Sequence, residues 1–300
     1  MKLGFVGLGR MGSNMALRLL GEGHRPVVYN RSPAAALELV KKGAVRAESL
    51  AQLCKMLPAP RVIWLMVPAG KPVDEVIAAL LPGLQKGDII IDGGNSNYKD
   101  SKRRFSALKG EGIHFLDIGT SGGLSGARNG ACLTIGGEEK IYRKLLPLFR
   151  SLSAKQGFLY CGPAGAGHYV KTVHNGIEYA MLQAYGEGFA VLDAAPYRLN
   201  MGKIAGVWSH GSVIRSWLLE LAADAFGKDA RLSKIEGVVG GGETGGWAIA
   251  QAKEAKVRAP SMELALRERK RSAKRPNFAG KVVAAIRNEF GGHAVQEKRR

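Results

Sequence analysis

The chain has 300 residues, of which 46% are hydrophobic, and its formal net charge at pH 7 is +19. This length and composition predict a globular protein of two domains with enough apolar residues for a substantial core. The three cysteines form no CxxC pair, which excludes a disulfide framework and argues against a thiolate metal site. No run of about 18 apolar residues occurs and no signal-peptide pattern is seen, so we expect a cytoplasmic protein without a membrane span.

Much of the positive charge lies in the last part of the chain. Residues 251–300 contain 14 Lys or Arg against 5 Asp or Glu, and the densest run is 267–275. A basic protein can attract nucleic acid, membranes or anionic metabolites. Nucleic-acid platforms alternate basic and stacking residues, whereas no aromatic residue interrupts this run. We interpret it as a solvated helix face with one or two anion-binding arginines, and we do not expect nucleic acid as the partner.

Short apolar runs alternate with helical stretches as far as about residue 160. The predicted strands are 3–8, 26–29, 62–67, 89–92, 114–118 and 132–135, and the predicted helices between them include 11–21, 33–41, 73–80 and 99–109. This alternation is typical of a doubly wound parallel sheet with crossover helices. After Cys161, helical periodicity dominates, with glycine-rich breaks at 237–246 and 291–292. The sequence predicts an α/β Rossmann domain over 1–163 and a mainly α-helical domain over 164–300.

A glycine-rich turn follows the first predicted strand and opens a helix. Gly7, Gly9 and Gly12 have the GxGxxG spacing of a dinucleotide-binding turn, in which phosphates lie at the helix N-terminus. A turn without a ligand is the alternative. The predicted nucleotide site takes residues from the ends of the first four predicted strands: Gly7, Leu8, Gly9, Arg10, Met11, Gly12, Asn30, Arg31, Ser32, Val67, Pro68, Ala69 and Asn95.

The end of the second predicted strand bears on the choice of cofactor. An NAD site commonly has an acidic residue here for the ribose, whereas this chain has Asn30, Arg31 and Ser32. A neutral Asn30 removes repulsion of a 2′-phosphate, and Arg31 and Ser32 can donate hydrogen bonds to it. The sequence therefore favours NADP over NAD.

One helical segment, 168–179, concentrates chemically active side chains. Helical spacing places Lys171, His174, Asn175 and Glu178 on one stripe. The neighbouring positions are apolar, and they are Val170, Val173, Ile177, Ala180 and Met181. We therefore expect a mostly buried helix whose ionisable stripe forms the wall of a site, because buried charges need partners or a task. The alternative is a structural ion pair between Lys171 and Glu178 on a solvated edge.

Several motifs together resemble the 6-phosphogluconate dehydrogenases, the decarboxylating branch of the β-hydroxyacid dehydrogenases. They are the glycine turn, GGNS at 93–96, GTSGG at 119–123, KxxHNGIEY at 171–179 and RxxFGGH at 287–293. The resemblance covers nearly the whole chain. The chain looks like the short form of the family, which lacks much of the C-terminal helical duplication of longer enzymes.

This resemblance implies oxidation of 6-phosphogluconate at its 3-hydroxyl by NAD(P), then decarboxylation and tautomerisation to ribulose 5-phosphate, without a metal. Lys171 would be the general base and then the acid that assists loss of carbon dioxide, and Glu178 would protonate the enediol. Burial lowers the pKa of a lysine, which suits the first role. The substrate-binding residues that the resemblance implies are Asn95, Ser121, Gly122, Gly123, His174, Asn175, Tyr179, Arg269, Arg287 and His293.

The resemblance also implies a homodimer or a higher homo-oligomer. In the family the C-terminal arginine and histidine, here Arg287 and His293, reach the site of the partner subunit. Arg269 matches a phosphate contact, although it could instead belong to the solvated basic run. The loop 240–247 lacks the phosphate-binding lysine of long-form enzymes. Either the arginines compensate, or the distal group of the substrate differs.

Two other functions are alternatives at this stage. One is a different β-hydroxyacid or sugar-acid dehydrogenase that does not decarboxylate, against which Glu178, Arg287 and His293 argue. The other is a non-catalytic nucleotide sensor or nucleic-acid-binding protein, against which Lys171 and Glu178 argue. Asn95 and Ser121 taken alone could be ordinary turn residues, since Asn and Ser are common in turns.

Overall fold

The computed structural model describes residues 1–297. Contacts divide the chain into two compact units, Met1–Lys171 and Thr172–Arg300. The strands are β1 (Lys2–Val6), β2 (Arg25–Tyr29), β3 (Val45–Arg46), β4 (Val62–Leu65), β5 (Ile89–Asp92), β6 (His114–Ser121), β7 (Ala131–Gly137) and β8 (Ser153–Gly162). The helices between them are α1 (Arg10–Gly21), α2 (Ala34–Val40), α3 (Leu50–Met56), α4 (Lys71–Leu80), α5 (Tyr98–Gly110), α6 (Gly123–Asn129), α7 (Glu139–Lys144) and α8 (Leu146–Leu152), with a 3₁₀ turn at Leu81–Gly83.

The strands form one sheet in the order β3-β2-β1-β4-β5-β6-β7-β8. Neighbouring strands are parallel except for β6 and β7, which are antiparallel. The strand order reverses between β1 and β4. In a doubly wound sheet this reversal opens a crevice beyond the carboxyl ends of the strands, where ligands bind. The predicted α/β class of the first domain is confirmed.

Both faces of the sheet are buried, which explains the continuous apolar runs of its central strands. Phe5 and Trp64 belong to one apolar cluster, and Val6, Ile63 and Leu65 belong to another. Successive residues of a strand point to opposite faces, so one run of sequence contributes to both clusters. The core therefore fixes the central strands and the loops at their carboxyl ends.

The second unit is built from helices. After α9 (Ala166–Asp193) come α10 (Met201–Trp208), α11 (Trp217–Lys228), α12 (Glu243–Glu254), α13 (Pro260–Ser272) and α14 (Phe278–Gly291). Its core includes Leu182, Phe189, Leu219, Phe226 and Ile286. The mainly helical character predicted for this part of the chain is confirmed.

The division between the units falls later than the predicted boundary at residue 163. It lies between Lys171 and Thr172, inside α9. The first turns of α9 pack on the sheet, since a Cβ at Gly167 would lie 2.3 Å from the carbonyl oxygen of Asp117 and 2.6 Å from that of Thr134. This close approach joins the start of the helix to the first unit.

The apolar face of α9 differs from the expectation of a mostly buried helix. Val170, Ile177 and Met181 are 41%, 48% and 37% exposed, and Val191, further along the helix, is 72% exposed. The remaining faces of α9 supply core residues such as Leu182 and Phe189. A single chain thus covers only part of this helix.

Within residues 1–297, no helix is long and apolar enough to cross a membrane. The same residues contain no cluster of three or more His, Cys, Asp or Glu side chains that could hold a metal ion.

Candidate active site

The glycine turn after β1 has the geometry that a dinucleotide requires. Gly7 has a φ of +95°, and a Cβ there would lie 2.4 Å from the carbonyl oxygen of Met66. A Cβ at Gly12 would lie 2.0 Å from the carbonyl oxygen of Gly7, which allows α1 to pack close to the turn. A Cβ at Gly9 would meet nothing within 4 Å. The open side at Gly9 leaves the backbone accessible to a pyrophosphate.

The start of α1 favours an anion at this turn. Gly9 is the N-cap and offers no side-chain hydrogen bond, and the first turn of the helix has no acidic residue. The first N–H groups of a helix lack partners within the helix and carry a partial positive charge. Arg10 and Met11 contribute such groups, and the hydroxyl of Ser13 anchors the turn by donating to the carbonyl oxygen of Leu8 at 2.8 Å. The residues present fit a dinucleotide phosphate.

Asn30 ties the end of β2 to the glycine turn. Its Oδ1 accepts a hydrogen bond from the Leu8 N–H at 2.9 Å, and its Nδ2 donates to the carbonyl oxygen of Ser32 at 2.9 Å. Arg31 and Ser32 are exposed beside it. Asn30 therefore shapes the loop, while the two exposed residues keep their side chains available to a ribose substituent.

The loop after β5 presents Asn95 to solvent from a rigid base. Asp92 is 1% exposed, and its carboxylate accepts hydrogen bonds from the Gly94 N–H at 3.2 Å and the Ser96 hydroxyl at 2.7 Å. A Cβ at Gly93 would lie 2.2 Å from Nε1 of Trp64, so the loop backbone rests on that buried ring. Asn95 itself is exposed, as a ligand-binding residue would be. A Cβ at Gly94 would lie 3.1 Å from the carbonyl oxygen of Val67, the first residue of the predicted segment Val67, Pro68 and Ala69.

The loop at the end of β6 lies beside the Asn95 loop. The Thr120 hydroxyl donates to the carbonyl oxygen of Gly93 at 2.9 Å. Ser121 is 8% exposed, and Gly122 and Gly123 have φ values of +113° and +58°. Only glycine adopts such a pair of conformations readily, which explains the double glycine before α6. Asn95 and Ser121 therefore lie on adjoining segments at the carboxyl ends of the neighbouring strands β5 and β6.

Lys171 packs tightly against β6. The side chain is 8% exposed, and a Cβ at Gly119 would lie 2.2 Å from the Cβ of Lys171 and 2.8 Å from its Cγ. Gly119 is glycine because the stem of the lysine occupies the space that a side chain would need. The contact places Lys171 in the first unit, next to the strand that ends at Ser121.

A buried carboxylate caps the helix that carries Lys171. Asp117 is fully buried, and it accepts hydrogen bonds from the N–H groups of Gly165 at 2.6 Å and His168 at 2.9 Å. A negative charge at a helix N-terminus is favourable, and here it satisfies donors that the helix leaves unpaired. The Ser101 hydroxyl contacts His168 Nδ1 at 2.7 Å. These contacts orient the turn of α9 that ends in Lys171.

In the second unit, the next part of α9 carries the remaining predicted polar residues of the stripe. Asn175 is 7% exposed, His174 is exposed, and His174 Nδ1 lies 3.2 Å from Asn175 Oδ1. Glu178 is partly buried. Two turns of helix separate Glu178 from Lys171, so α9 carries both the predicted base and the predicted acid.

Tyr179 and Arg269 form the centre of a cationic cluster in the second unit. The Arg269 guanidinium lies 3.5 Å from the centre of the Tyr179 ring, and Arg269 is only 4% exposed. Burial, together with the charge of Arg287, lowers the pKa of Arg269 to about 10 against the opposing effects of Tyr179 and Glu178. The guanidinium remains charged at neutral pH. Its Nη1 is buried without a hydrogen-bond partner in residues 1–297, so it is available to an anion.

This burial rules out the alternative that Arg269 belongs to the solvated basic run. Its neighbour Arg267 has a side chain that is 74% exposed, so α13 turns one arginine outward and the other inward. The cavity beside Arg269 has a volume of about 20 Å³, which is room for one water molecule.

Arg287 lies in the same cluster as Arg269, within the second unit. Its Nη2 is 3.4 Å from the position of a Cβ at Gly241, and its charge acts on Arg269. Burial lowers the pKa of Arg287, while Tyr179 and Glu178 raise it. The reason for this placement is that α14 packs into the core of its own unit through Val282, Val283 and Ile286.

The loop before α12 approaches Tyr179 without a lysine. Gly241 and Gly242 have φ values of +77° and +139°, and the Thr244 hydroxyl lies 3.2 Å from that of Tyr179. A Cβ at Gly245 would lie 2.5 Å from the Tyr179 ring. The first turn of α12 thus supplies close backbone contact and one hydroxyl, while the positive charge near Tyr179 comes from Arg269 and Arg287.

His293 lies just after α14 and packs against it. It is exposed, its ring packs edge-on against Phe290 at 5.7 Å between centres, and its carbonyl oxygen accepts a hydrogen bond from Asn288.

Sequence reasoning missed three residues that organise the first unit: Asp92, Arg104 and Asp117. Arg104 is 2% exposed and donates to Asp74, Asp92 and the carbonyl oxygen of Gly70. An acidic residue at the carboxyl end of a buried strand, as at Asp92, was an available signal. The arginine pair at 103–104 gave no sign of which member is buried.

The fold and its glycine turn define an NAD(P)-binding oxidoreductase with a Rossmann domain and a helical domain. Residues 2–162 match the model of the NAD binding domain of 6-phosphogluconate dehydrogenase, and residues 167–299 match that of the 6-phosphogluconate dehydrogenase C-terminal domain. The chain therefore belongs to the 6-phosphogluconate dehydrogenase family.

Relatives of the same length support this membership. The chain is 46% identical over 298 residues to Bacillus subtilis YqeC, whose name gives 6-phosphogluconate dehydrogenase as an unproven assignment; the match covers 99% of the chain and 100% of YqeC. It is 41% identical over 300 residues to a Haloferax volcanii protein named 6-phosphogluconate dehydrogenase, NAD(+)-dependent, decarboxylating, covering 99% of each. A Bacillus subtilis enzyme of that same name is longer, and the match covers 75% of the chain and 50% of that enzyme.

Solved structures agree. The Plasmodium falciparum 6-phosphogluconate dehydrogenase, determined in apo form and with NADP+ or 6-phosphogluconate, is 32% identical with a TM-score of 0.85, covering 91% of this chain and 62% of that one. A Mycobacterium tuberculosis 3-hydroxyisobutyrate dehydrogenase is 21% identical with a TM-score of 0.75, covering 94% and 97% of the two chains, and shows the fold alone.

Proposed function

We propose that the chain catalyses the oxidative decarboxylation of 6-phosphogluconate to ribulose 5-phosphate and carbon dioxide with reduction of NAD(P). The observation that carries the proposal is the burial of Lys171 against Gly119, beside the loops of Asn95 and Ser121. A lysine packed in this way has little freedom, and a general base must be held in place to take a proton efficiently. A solvated ion pair between Lys171 and Glu178 would not need this close packing.

The chemistry follows from the roles of two side chains. Held at the glycine turn through its pyrophosphate, NAD(P) would supply the acceptor for the hydride that leaves C3 of the substrate. Neutral Lys171 takes the proton of the 3-hydroxyl, and the resulting ammonium donates that proton to the 3-keto oxygen as the bond to the carboxylate breaks and carbon dioxide leaves, which gives an enediol. Glu178 then donates a proton to the carbon that lost carbon dioxide, Lys171 takes back the proton of the 3-oxygen, and the enediol becomes the ketose. Lys171 thus starts as a base and Glu178 as an acid.

Substrate binding divides between the two ends of the sugar acid. In the proposal Asn95, Ser121, His174, Asn175 and the backbone of Gly122 and Gly123 contact the carboxylate and hydroxyls. Tyr179, Arg269 and Arg287 bind the phosphate. Two guanidiniums give a phosphate more hydrogen-bond donors than one lysine, so the arginines offset the missing loop cation. His293 is proposed to complete the site from a neighbouring subunit.

We infer a preference for NADP over NAD. The support is the absence of a carboxylate at the end of β2 and the exposure of Arg31 and Ser32 beside Asn30. The Haloferax relative is named as NAD(+)-dependent, so the preference needs its own measurement. An Arg31→Glu variant should lose affinity for NADP and keep that for NAD, because only the 2′-phosphate meets the new charge.

We propose a homodimer or a higher homo-oligomer in the cytoplasm. The exposed apolar residues Ile177, Met181 and Val191 lie on one long helix, and a second copy is a partner that would cover them. The three cysteines are free thiols, which suits a reducing compartment.

The deciding experiment is an assay of the purified protein with 6-phosphogluconate, with NADP and NAD in parallel and carbon dioxide trapped. One carbon dioxide per reduced nicotinamide supports the proposal. Gluconate serves as the control for the phosphate. Turnover of gluconate alone, or reduction without carbon dioxide, would favour another sugar-acid dehydrogenase. NADP binding without turnover of either compound would favour a different hydroxyacid or a sensor.

A further inference from the structure

A buried arginine lies beneath the loops that the proposed function uses. Arg104, on α5, is 2% exposed. Its Nε donates to Asp74 at 2.8 Å and its Nη2 to the carbonyl oxygen of Gly70 at 2.9 Å. Its Nη1 lies 3.3 Å from the Asp92 carboxylate and 3.4 Å from the Ser96 hydroxyl. One planar guanidinium therefore joins three segments of the first unit.

Two of these segments follow the neighbouring strands β4 and β5, and the third is α5 itself. Asp92 and Ser96 flank Asn95, and Gly70 is the N-cap of α4, directly after the nucleotide segment 67–69. Asp74 lies in the first turn of α4. Arg104 thus contacts both the loop that carries Asn95 and the segment that follows the nucleotide residues 67–69. It belongs to neither of them.

The neighbouring Arg103 provides a comparison within the same helix. It bonds to Asp74 at 2.9 Å and Asp100 at 3.4 Å, and its side chain is 56% exposed. Burial raises the pKa of Asp74, but the hydrogen bonds from Arg104 and Arg103 outweigh that effect and hold the pKa below its usual range. Arg103 shares this carboxylate and has no recorded bond to Asp92, Ser96 or Gly70. Simple pairing of α5 with α4 would need only Arg103.

We propose that Arg104 is a positioning residue that fixes Asn95 for substrate and cofactor by bracing both loops at once; this inference rests on the proposed function. The fork geometry of the guanidinium is essential, because donors directed at Asp74, Gly70 and Asp92 must leave one group in different directions. The three donors of a lysine all lie on one nitrogen, so they cannot reproduce this fork. Asn95 is exposed, and Asp92 and Ser96 of the same loop both lie in contact with Arg104.

The test compares Arg104→Lys with the matched control Arg103→Lys in the full chain. Arg104→Lys should lower kcat/KM for 6-phosphogluconate by about 10²-fold, the size of effect that a small misplacement of a binding group produces. Arg103→Lys should stay within about twofold of the wild type, since surface ion pairs contribute little. Circular dichroism at the assay temperature verifies that each variant is folded.

A double-mutant cycle with Asn95→Ala separates positioning from general loss of structure. If Arg104 acts through Asn95, Arg104→Lys in the Asn95→Ala background should cost less than about threefold. An undiminished loss in that background, or a loss equal to that of Arg103→Lys, overturns the proposal. If Arg104→Lys does not fold, Ser96→Ala takes its place in the cycle, since it removes an uncharged contact of the same loop.

The dissociation constant of NADPH gives a readout that does not depend on turnover. Arg104→Lys should weaken NADPH binding, and this effect too should shrink when Asn95 is alanine. If the wild type does not turn over 6-phosphogluconate, the proposed function fails, while the NADPH cycle still decides the role of Arg104. Additive losses in NADPH affinity would then overturn it.

Discussion

At the residue scale, the central feature is a lysine whose stem is packed into a space left by a glycine. The amine of Lys171 can act as a base, and the contact with Gly119 sets the position of its side chain. Both residues occur in sequence motifs, but neither motif indicates that the two residues are in contact. A similarly close contact holds Arg269 against the ring of Tyr179.

Lys171→Met should remove turnover while cofactor binding is retained. The methionine fills similar space, so the helix keeps its packing, but no group remains to take the proton of the 3-hydroxyl. We expect kcat to fall by about 10³-fold or more, toward the upper range for loss of a general base. NADPH affinity is measured by fluorescence titration, with Lys155→Met, at an exposed lysine on β8, as the control. Loss of NADPH binding in the Lys171 variant would show that the lysine is structural.

Gly119→Ala should reduce activity and stability together. The new methyl group would lie 2.2 Å from the Cβ of Lys171 and 2.5 Å from the Thr134 hydroxyl, so the helix must shift. Overpacking of this kind costs about 1–3 kcal/mol of unfolding free energy, measured by denaturant titration. Gly206→Ala in α10 is the control, because a Cβ there meets nothing within 4 Å and alanine is the better helix former. Wild-type kcat in the Gly119 variant would contradict the assigned packing.

Arg269→Lys should raise the KM for 6-phosphogluconate by about tenfold or more, with a smaller effect on kcat. A lysine loses both the stacking on Tyr179 and the bidentate geometry toward a phosphate. Arg267→Lys, two residues earlier on the exposed side of α13, is the matched control and should leave KM unchanged. Steady-state kinetics on both variants measures the difference. Equal effects would mean that the phosphate contacts the outer face of the helix.

At the element scale, α9 depends on a carboxylate from another strand for its orientation. Asp117 accepts from Gly165, which lies 48 residues later, and from His168. The loop that carries Asn95 is likewise held by hydrogen bonds of Asp92 with Ser96 and with Arg104 of α5. The elements that carry the site are therefore aligned by buried polar contacts as well as by the apolar core.

Asp117→Asn should destabilise the fold and lower kcat. The amide has one acceptor oxygen and no charge, so it cannot satisfy both N–H groups at the start of α9 as the carboxylate does. Loss of a buried charge-assisted hydrogen bond costs about 1–3 kcal/mol, which urea unfolding measures. Asp229→Asn is the control, since Asp229 accepts similar backbone bonds in an exposed turn. An unchanged kcat in a destabilised Asp117 variant would show that the cap contributes to stability alone.

At the scale of the whole molecule, the net charge and the exposed apolar face of α9 are properties of the protein surface. The net charge of +19 favours approach of anionic substrates and cofactors at low ionic strength, although a local patch matters more than the sum. Arg269 points inward, so not all the charge of the basic run lies on the surface. The exposed face of α9 is the second property, and it leads to the prediction of assembly.

Ile177→Glu should convert the oligomer to monomers. A charge placed on the exposed apolar face of α9 would be buried unpaired at the interface, which is costly. Size-exclusion chromatography with light scattering should show a dimer or larger assembly for the wild type and a monomer for the variant. Leu159→Glu, at a 65% exposed leucine on β8, is the control and should leave the mass unchanged. A monomeric and active wild type would contradict the proposed assembly.

The sequence by itself determined the class of fold, the course of the central strands and the motif-bearing loops. Apolar runs of four to six residues and glycines at fixed spacing are local signals, because they reflect burial and φ angles of the residues themselves. The short β3 and the incompletely buried β8 carry no such signal, and neither was predicted.

Only the tertiary structure decided which charges are buried and what they touch. Arg103 and Arg104 are adjacent, and Arg267 and Arg269 are two residues apart, yet one arginine of each pair is buried. Asp117 and Gly165 meet across 48 residues of chain. Such contacts depend on the register of strands and helices after the core has closed. A sequence pattern therefore locates the loops of the site, and packing across long separations orients the side chains within it.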